Sequence, residues 1–155
     1  MAEESKSSGG SPSWGLVLVR IVAGWIVLEA GWRKVSGGVS DELVTGTRDA
    51  IAQAPGFVRA WGEKVVLPHP WVFAHLIAWG ELLGGLALFL GAFTRPAGIA
   101  IAFMFANFYF AGPASAKPLV LILATVGLGC AISRAGRNVG ADVFLDEKLP
   151  RWMTW

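Results

Sequence analysis

The chain has 155 residues, 54% of them hydrophobic and only 15% charged, with a mean hydropathy of +0.55. A water-soluble domain of this length carries nearer a quarter of its residues charged, so these totals describe a membrane protein. The net charge of +2 comes from Lys and Arg scattered through loops and tails, with no run that could track a phosphate backbone, which argues against nucleic acid as a partner. A single cysteine, Cys130, lies in an apolar run; it excludes an intrachain disulfide and reads as a buried, inert thiol.

The opening stretch MAEESKSSGGSPS is acidic where a signal peptide needs a basic region, and it reads as a short disordered tail over 1–13. Four apolar segments follow, at about 14–34, 71–93, 96–112 and 118–133, each able to cross ~30 Å of hydrocarbon once its flanks are included. The connections TRP and PASAKP are short enough to make the last three antiparallel neighbours. The expected fold is therefore all-α: a polytopic, antiparallel four-transmembrane-helix bundle spanning 14–133, with a cytoplasmic C-terminal tail at 134–155. Pro96 and Pro118 mark helix starts, where a first turn has no backbone donor to lose, and Gly112-Pro113 ends the third segment. Trp residues fall largely beside these runs, where an amphipathic indole sits at headgroup level.

The long first connection, Val35 to Pro70, has its own pattern. Leu43, Thr47, Ala50, Ile51 and Ala54 share one helical face, opposite Asp41, Glu42, Arg48, Asp49 and Gln53; after Pro55-Gly56, the residues Phe57, Val58, Trp61 and Val65 repeat the stripe. Neither stripe has a core of its own, so the segment at about 41–66 reads as two amphipathic helices in the membrane surface, forming a lid over one end of the bundle. Basic residues divide evenly between the two sides; the hydrophilic N-terminus and basic C-terminal tail favour both termini in the cytoplasm, and the expected location is a bacterial inner (plasma) membrane.

Polar residues inside the apolar runs are the candidate functional groups. In the first segment Arg20, Gly24 and Gly31 share one face, and Trp25, Glu29 and Trp32 another. Arg20 and Glu29 lie near opposite ends and could each snorkel outward. In the second, Glu81 shares its face with Gly84, Gly85 and Leu88, whereas His75 falls near Trp71, Ala78 and Leu82. A Glu beside glycines points into a helix contact, and Arg20 is the nearest candidate to pair with it. Glu81 is thus either a structural lock or a site residue. In the third segment Ala100, Phe103, Asn107 and Phe110 line one face; Asn107 suits a carbonyl-bearing ring among aromatics and suits an interhelical hydrogen bond equally well. With Trp79, these give the quinone- or lipid-binding candidates His75, Glu81, Phe103, Asn107 and Trp79, beside the polar-pair candidates Arg20, Glu29 and Glu81.

Of the two histidines only His75 is intramembrane, since His69 lies in LPHPW, so a bis-histidine haem within one chain is not expected. No metal site is expected, and no CxxC, glycine-rich nucleotide loop or GxSxG occurs.

The run LVRIVAGWIVLEAGWRKV resembles the opening of DoxX-like membrane proteins, through Arg20, Gly24, Gly31 and Lys34. GELLGGLALFLGAFTRP is similar to the same family's second helix, through Glu81, Gly84, Gly85, Gly91, Thr94 and Arg95. The tail GRNVGADVFLDEKL matches its closing pattern on Gly136, Arg137, Gly140 and Asp142. The resemblance implies a four-helix membrane protein with both termini inside, from a group that includes the quinone-linked DoxD and DoxX subunits of thiosulfate:quinone oxidoreductase as well as membrane partners and assembly factors. The long amphipathic connection and the Trp-rich LPRWMTW depart from the simplest pattern.

Three functions follow as expectations. The first is a small membrane subunit of a respiratory or photosynthetic electron-transfer complex that binds quinone or lipid non-covalently. The second is a non-catalytic scaffold or assembly subunit that docks other membrane subunits in the bilayer. The third is the quinone-reducing subunit of a thiosulfate:quinone oxidoreductase. Catalysis by this chain alone is not expected.

Overall fold

The computed structural model describes residues 14–133 and 140–142. The tail at 1–13 and most of the C-terminal tail, including Gly136, Arg137 and LPRWMTW, lie outside the described residues. Among the described residues the chain is all-α, with no strand: α1 Trp14–Ser36, α2 Asp41–Gln53, α3 Gly56–Trp61, α4 Pro70–Leu90, α5 Thr94–Ala111 and α6 Lys117–Ile132. A π-helical turn, Gly62–Val66, continues α3.

Helix ends follow local chemistry. Arg33 and Lys34 occupy the last turn of α1, where cations complement the helix dipole, and Gly38 at φ 77° takes the chain out of the helix. Ser40 then caps α2, its hydroxyl accepting from the Leu43 amide at 3.3 Å, with Asp41 and Glu42 in the first turn. Helix α4 ends at Leu90, three residues before the expected Phe93, because Gly91 (φ 66°) and Phe93 (φ 51°) both adopt the left-handed conformation. For Phe93 that conformation costs about 1–2 kcal/mol, so something must hold it there. Helix α5 consequently starts at Thr94, with Pro96 still inside its first turn.

Among the described residues two helices, α1 and α4, are long and apolar enough to cross a membrane, yet only 33% of each span is buried in the protein. The outward faces carry Leu18, Val22, Trp25 and Trp32 on α1 and Val72, Leu76, Leu83 and Leu90 on α4, all exposed. The core helix of a soluble protein would hide such residues; here the apolar surroundings they need lie outside the chain.

Helices α1, α4, α5 and α6 pack in a ring, each against two others. Within it, α1 and α4 run antiparallel on a glycine seam: a Cβ at Gly24 would come to 2.5 Å of the Phe89 nitrogen, and Cβ atoms at Gly31 and Gly85 would strike the backbones of Leu82 and Leu28. The α5–α6 pair repeats the device with Gly98 and Gly127, each set against the other helix's backbone. Val27, Leu88, Ile101, Phe105, Leu123 and Cys130 fill the interior. The amphipathic segment is helical where the stripes require. Val44, Ile51, Ala54, Val58 and Val66 are buried, and α2 and α3 pack on α4 and α5. Of the second stripe only Val58 is buried: Val65 is exposed, with Val66 of the π-helical turn turned inward in its place, and Phe57 and Trp61 stay exposed but meet Phe110 and Phe73 edge-on, with centroids 5.5 and 6.2 Å apart.

Candidate functional site

The antiparallel α1–α4 seam carries a polar cluster at each end. At one end Glu81, 2% exposed, is paired with Lys34 through its Oε2. The geometry follows from helical spacing, since Gly24, Gly31 and Lys34 recur on the face of α1 that meets α4. Gly31 brings the two backbones together at Glu81 and Leu82, and Lys34 follows one turn later, within reach of the carboxylate. Its ammonium is on the rim: the Lys34 side chain is 29% exposed against 3% for Glu81. Beside it lies an open cavity of about 370 Å³ lined by Arg33, Lys34, Gly37, Gly38, Ser40 and Leu43, among others.

At the other end Arg20 is 1% exposed, its guanidinium set against Gly91 so closely that a Cβ there would come to 2.6 Å of Nη1. Glycine is therefore required at 91 twice over, by φ and by the arginine. Asp142, 3% exposed, closes this end: Oδ1 accepts from the Phe93 amide at 2.6 Å and Oδ2 from the Thr94 amide at 3.1 Å. A carboxylate on the first free amides of α5 is a helix cap delivered from a distant part of the chain, and it lies within electrostatic reach of Arg20.

These positions correct two expectations. Arg20 does not pair with Glu81, because the antiparallel register sets Arg20 opposite Gly91 and Glu81 opposite Gly31 and Lys34. Nor does Arg20 snorkel; it turns inward and is buried. Glu29 is on the outer face of α1, half-exposed, in a loose 3.8 Å pair with Arg33, and takes no part in either cluster.

The five quinone or lipid candidates do not converge. Glu81 faces α1, whereas His75 and Trp79 lie on the outer face of α4, where Trp71, Val72, His75, Leu76 and Trp79 line an open groove of about 490 Å³. Phe103 of α5 is 66% exposed, and the Asn107 amide donates to the Phe103 carbonyl at 2.8 Å, a bond within its own helix and not the interhelical one expected. His75 donates from Nδ1 to the Trp71 carbonyl at 2.9 Å, which in the neutral ring leaves Nε2 as an acceptor.

Over residues 15–114, from α1 through α5, the chain matches DoxX. It belongs to the DoxX family. No curated protein matches it. No solved structure matches it either. The match includes Arg20, Lys34, Glu81 and Gly91, so both ends of the seam fall within it except for the capping carboxylate, Asp142, which lies beyond. This DoxX-family protein is thus a small membrane protein whose buried charged residues join helices to one another.

Proposed function

We propose that this DoxX-family protein is a non-catalytic accessory subunit that docks to, and stabilises, a larger complex of the bacterial plasma membrane, of the electron-transfer class. In this reading α1, α4, α5 and α6 all span the bilayer, α2 and α3 lie at one membrane surface, and both termini are cytoplasmic. Helix α6, with 16 residues, is ~24 Å long against ~30 Å of hydrocarbon, a mismatch that flanking residues and local thinning absorb.

The observation that carries the proposal is the use made of the buried charges. Glu81 is engaged by Lys34, and Asp142 by the α4–α5 turn beside Arg20, so these buried charged groups serve to hold helices together. Exposed aromatic side chains along α1, α4 and α5 supply the docking surface.

Purification from native membranes in mild detergent, with subunits and quinone identified together, tests it. The expected result is a stoichiometric complex with redox subunits whose activity and quinone content are unchanged by His75→Ala or Asn107→Ala. Recovery of the chain alone overturns the proposal.

A second reading has its own observation. The groove sets His75, whose neutral ring leaves an acceptor nitrogen, among Trp71, Trp79 and aliphatic side chains, a setting suited to a quinol or to a lipid head bearing a hydroxyl. Loss of bound quinone or lipid in His75→Ala, with the complex intact, would establish it in place of the first.

A further inference from the structure

The ring of four helices is built from two pairs of unequal tightness. Within α1–α4 the backbones touch at Gly24, Gly31 and Gly85, and within α5–α6 at Gly98 and Gly127. Between α4 and α5 the contact is made by side chains: the nearest atoms to a Cβ at Gly84 are those of the Ile101 side chain, and Gly80 meets only Met104 Sδ, at 3.6 Å. Backbone-to-backbone seams resist shear, whereas a side-chain interface accommodates small sliding.

The joint between the pairs is the turn after α4, where Gly91 and Phe93 both have positive φ. Residues 140–142 lie across this joint and bond to both of its sides. Ala141 donates to the Leu90 carbonyl at 3.1 Å and Asp142 to the Gly91 carbonyl at 2.9 Å, gripping the end of α4. The Asp142 carboxylate grips the start of α5 through the Phe93 and Thr94 amides. Arg20 on α1 stands behind the turn, within electrostatic reach of the same carboxylate.

We propose that the Gly140–Asp142 segment is a strap that locks the α4–α5 joint and so fixes the α5–α6 pair against the α1–α4 pair. With the strap engaged, Phe93 is held in its unfavourable conformation and the two pairs stay packed on each other. With it released, the turn relaxes and the pairs part furthest at the end remote from the joint. Gly80 lies eleven residues from Gly91, ~16 Å along α4, so a modest rotation at the turn is amplified there.

The test is thiol crosslinking of the full chain in membranes, in a Cys130→Ala background. A Gly80→Cys/Met104→Cys pair reports across the joint; a Trp25→Cys/Phe89→Cys pair, whose native rings are 5.8 Å apart, reports within the α1–α4 pair. Asp142→Ala is expected to slow the first crosslink at least about threefold, the population shift that loss of one capping contact produces, while the second is unchanged. Asp142→Asn, which keeps an acceptor oxygen for one of the two amides, is expected to fall between, and it carries the test if the alanine variant does not accumulate. An unchanged first crosslink overturns the proposal, as does equal slowing of both pairs, which would mark general loosening of the fold.

Discussion

The two ends of the α1–α4 seam solve the same problem by different means. At the Lys34–Glu81 end a charge is neutralised by a side chain from the facing helix, one partner buried and the other on the rim. At the Arg20 end the buried cation faces a backbone turn, and the opposing carboxylate arrives from residue 142 to bind amides of a third helix. The first arrangement joins two helices and depends on side-chain pairing. The second joins the end of α4, the start of α5 and the tail, and depends on glycine at 91 as much as on charge. A lone ionised group in the apolar region would be costly, so each end must be satisfied, but only the second has its ligand supplied by a separate segment.

The comparison breaks most completely if the seam itself is opened. Gly31→Leu places a branched side chain where a Cβ already meets the Leu82 backbone, so both ends lose their register together. Overpacking against backbone is expected to cost about 3 kcal/mol or more, read as loss of the folded species in a thermal melt in detergent. The next largest effect separates the ends. Lys34→Met leaves the Glu81 carboxylate buried without its partner and is expected to cost about 2 kcal/mol, below the range for fully buried pairs because Lys34 is partly solvated. Adding Glu81→Leu should restore most of that loss, since replacing both charges removes the desolvation cost. At the other end Gly91→Ala is expected to cost about 1–2 kcal/mol, from the positive φ and the approach of Arg20, and no single charge removal should rescue it fully.

The sequence was most legible where spacing is local. Alternate faces of α1 separated Arg20, Gly24 and Gly31 from Trp25, Glu29 and Trp32, and the structure buries the first set against α4 while exposing the second. Glu81 beside Gly84 and Gly85 correctly indicated a helix contact. Its partner was misassigned because pairing depends on register across the seam, which no single helix specifies. The signal for Lys34 was nevertheless present in its continuation of the Gly24–Gly31 face toward the Glu81 end. The role of Asp142 left no comparable trace: it lies 49 residues from Phe93, and an acidic residue after a Gly-x spacing does not announce which amides it will reach. The end of α4 was placed too late for a related reason, since a phenylalanine in the left-handed region is tolerated only when that distant carboxylate holds its amide.

The smallest effect belongs to the polar residue that neither end uses. Asn107 looked like a ligand group or an interhelical bridge, but its amide donates to Phe103 in its own helix, on a face where Phe103 is largely exposed. A side chain bonded within its own turn gives nothing to its neighbours, so Asn107→Leu should change stability by no more than about 0.5 kcal/mol in either direction. Glu81→Gln should be clearly destabilising in the same melt, because it weakens the ion pair with Lys34 at the tightest part of the seam. If Asn107→Leu proved as damaging as Glu81→Gln, the outer face of α5 would be bearing a contact that the isolated chain lacks. The division between structural charges inside the ring and outer faces that bind no neighbouring helix would then fail at α5 first.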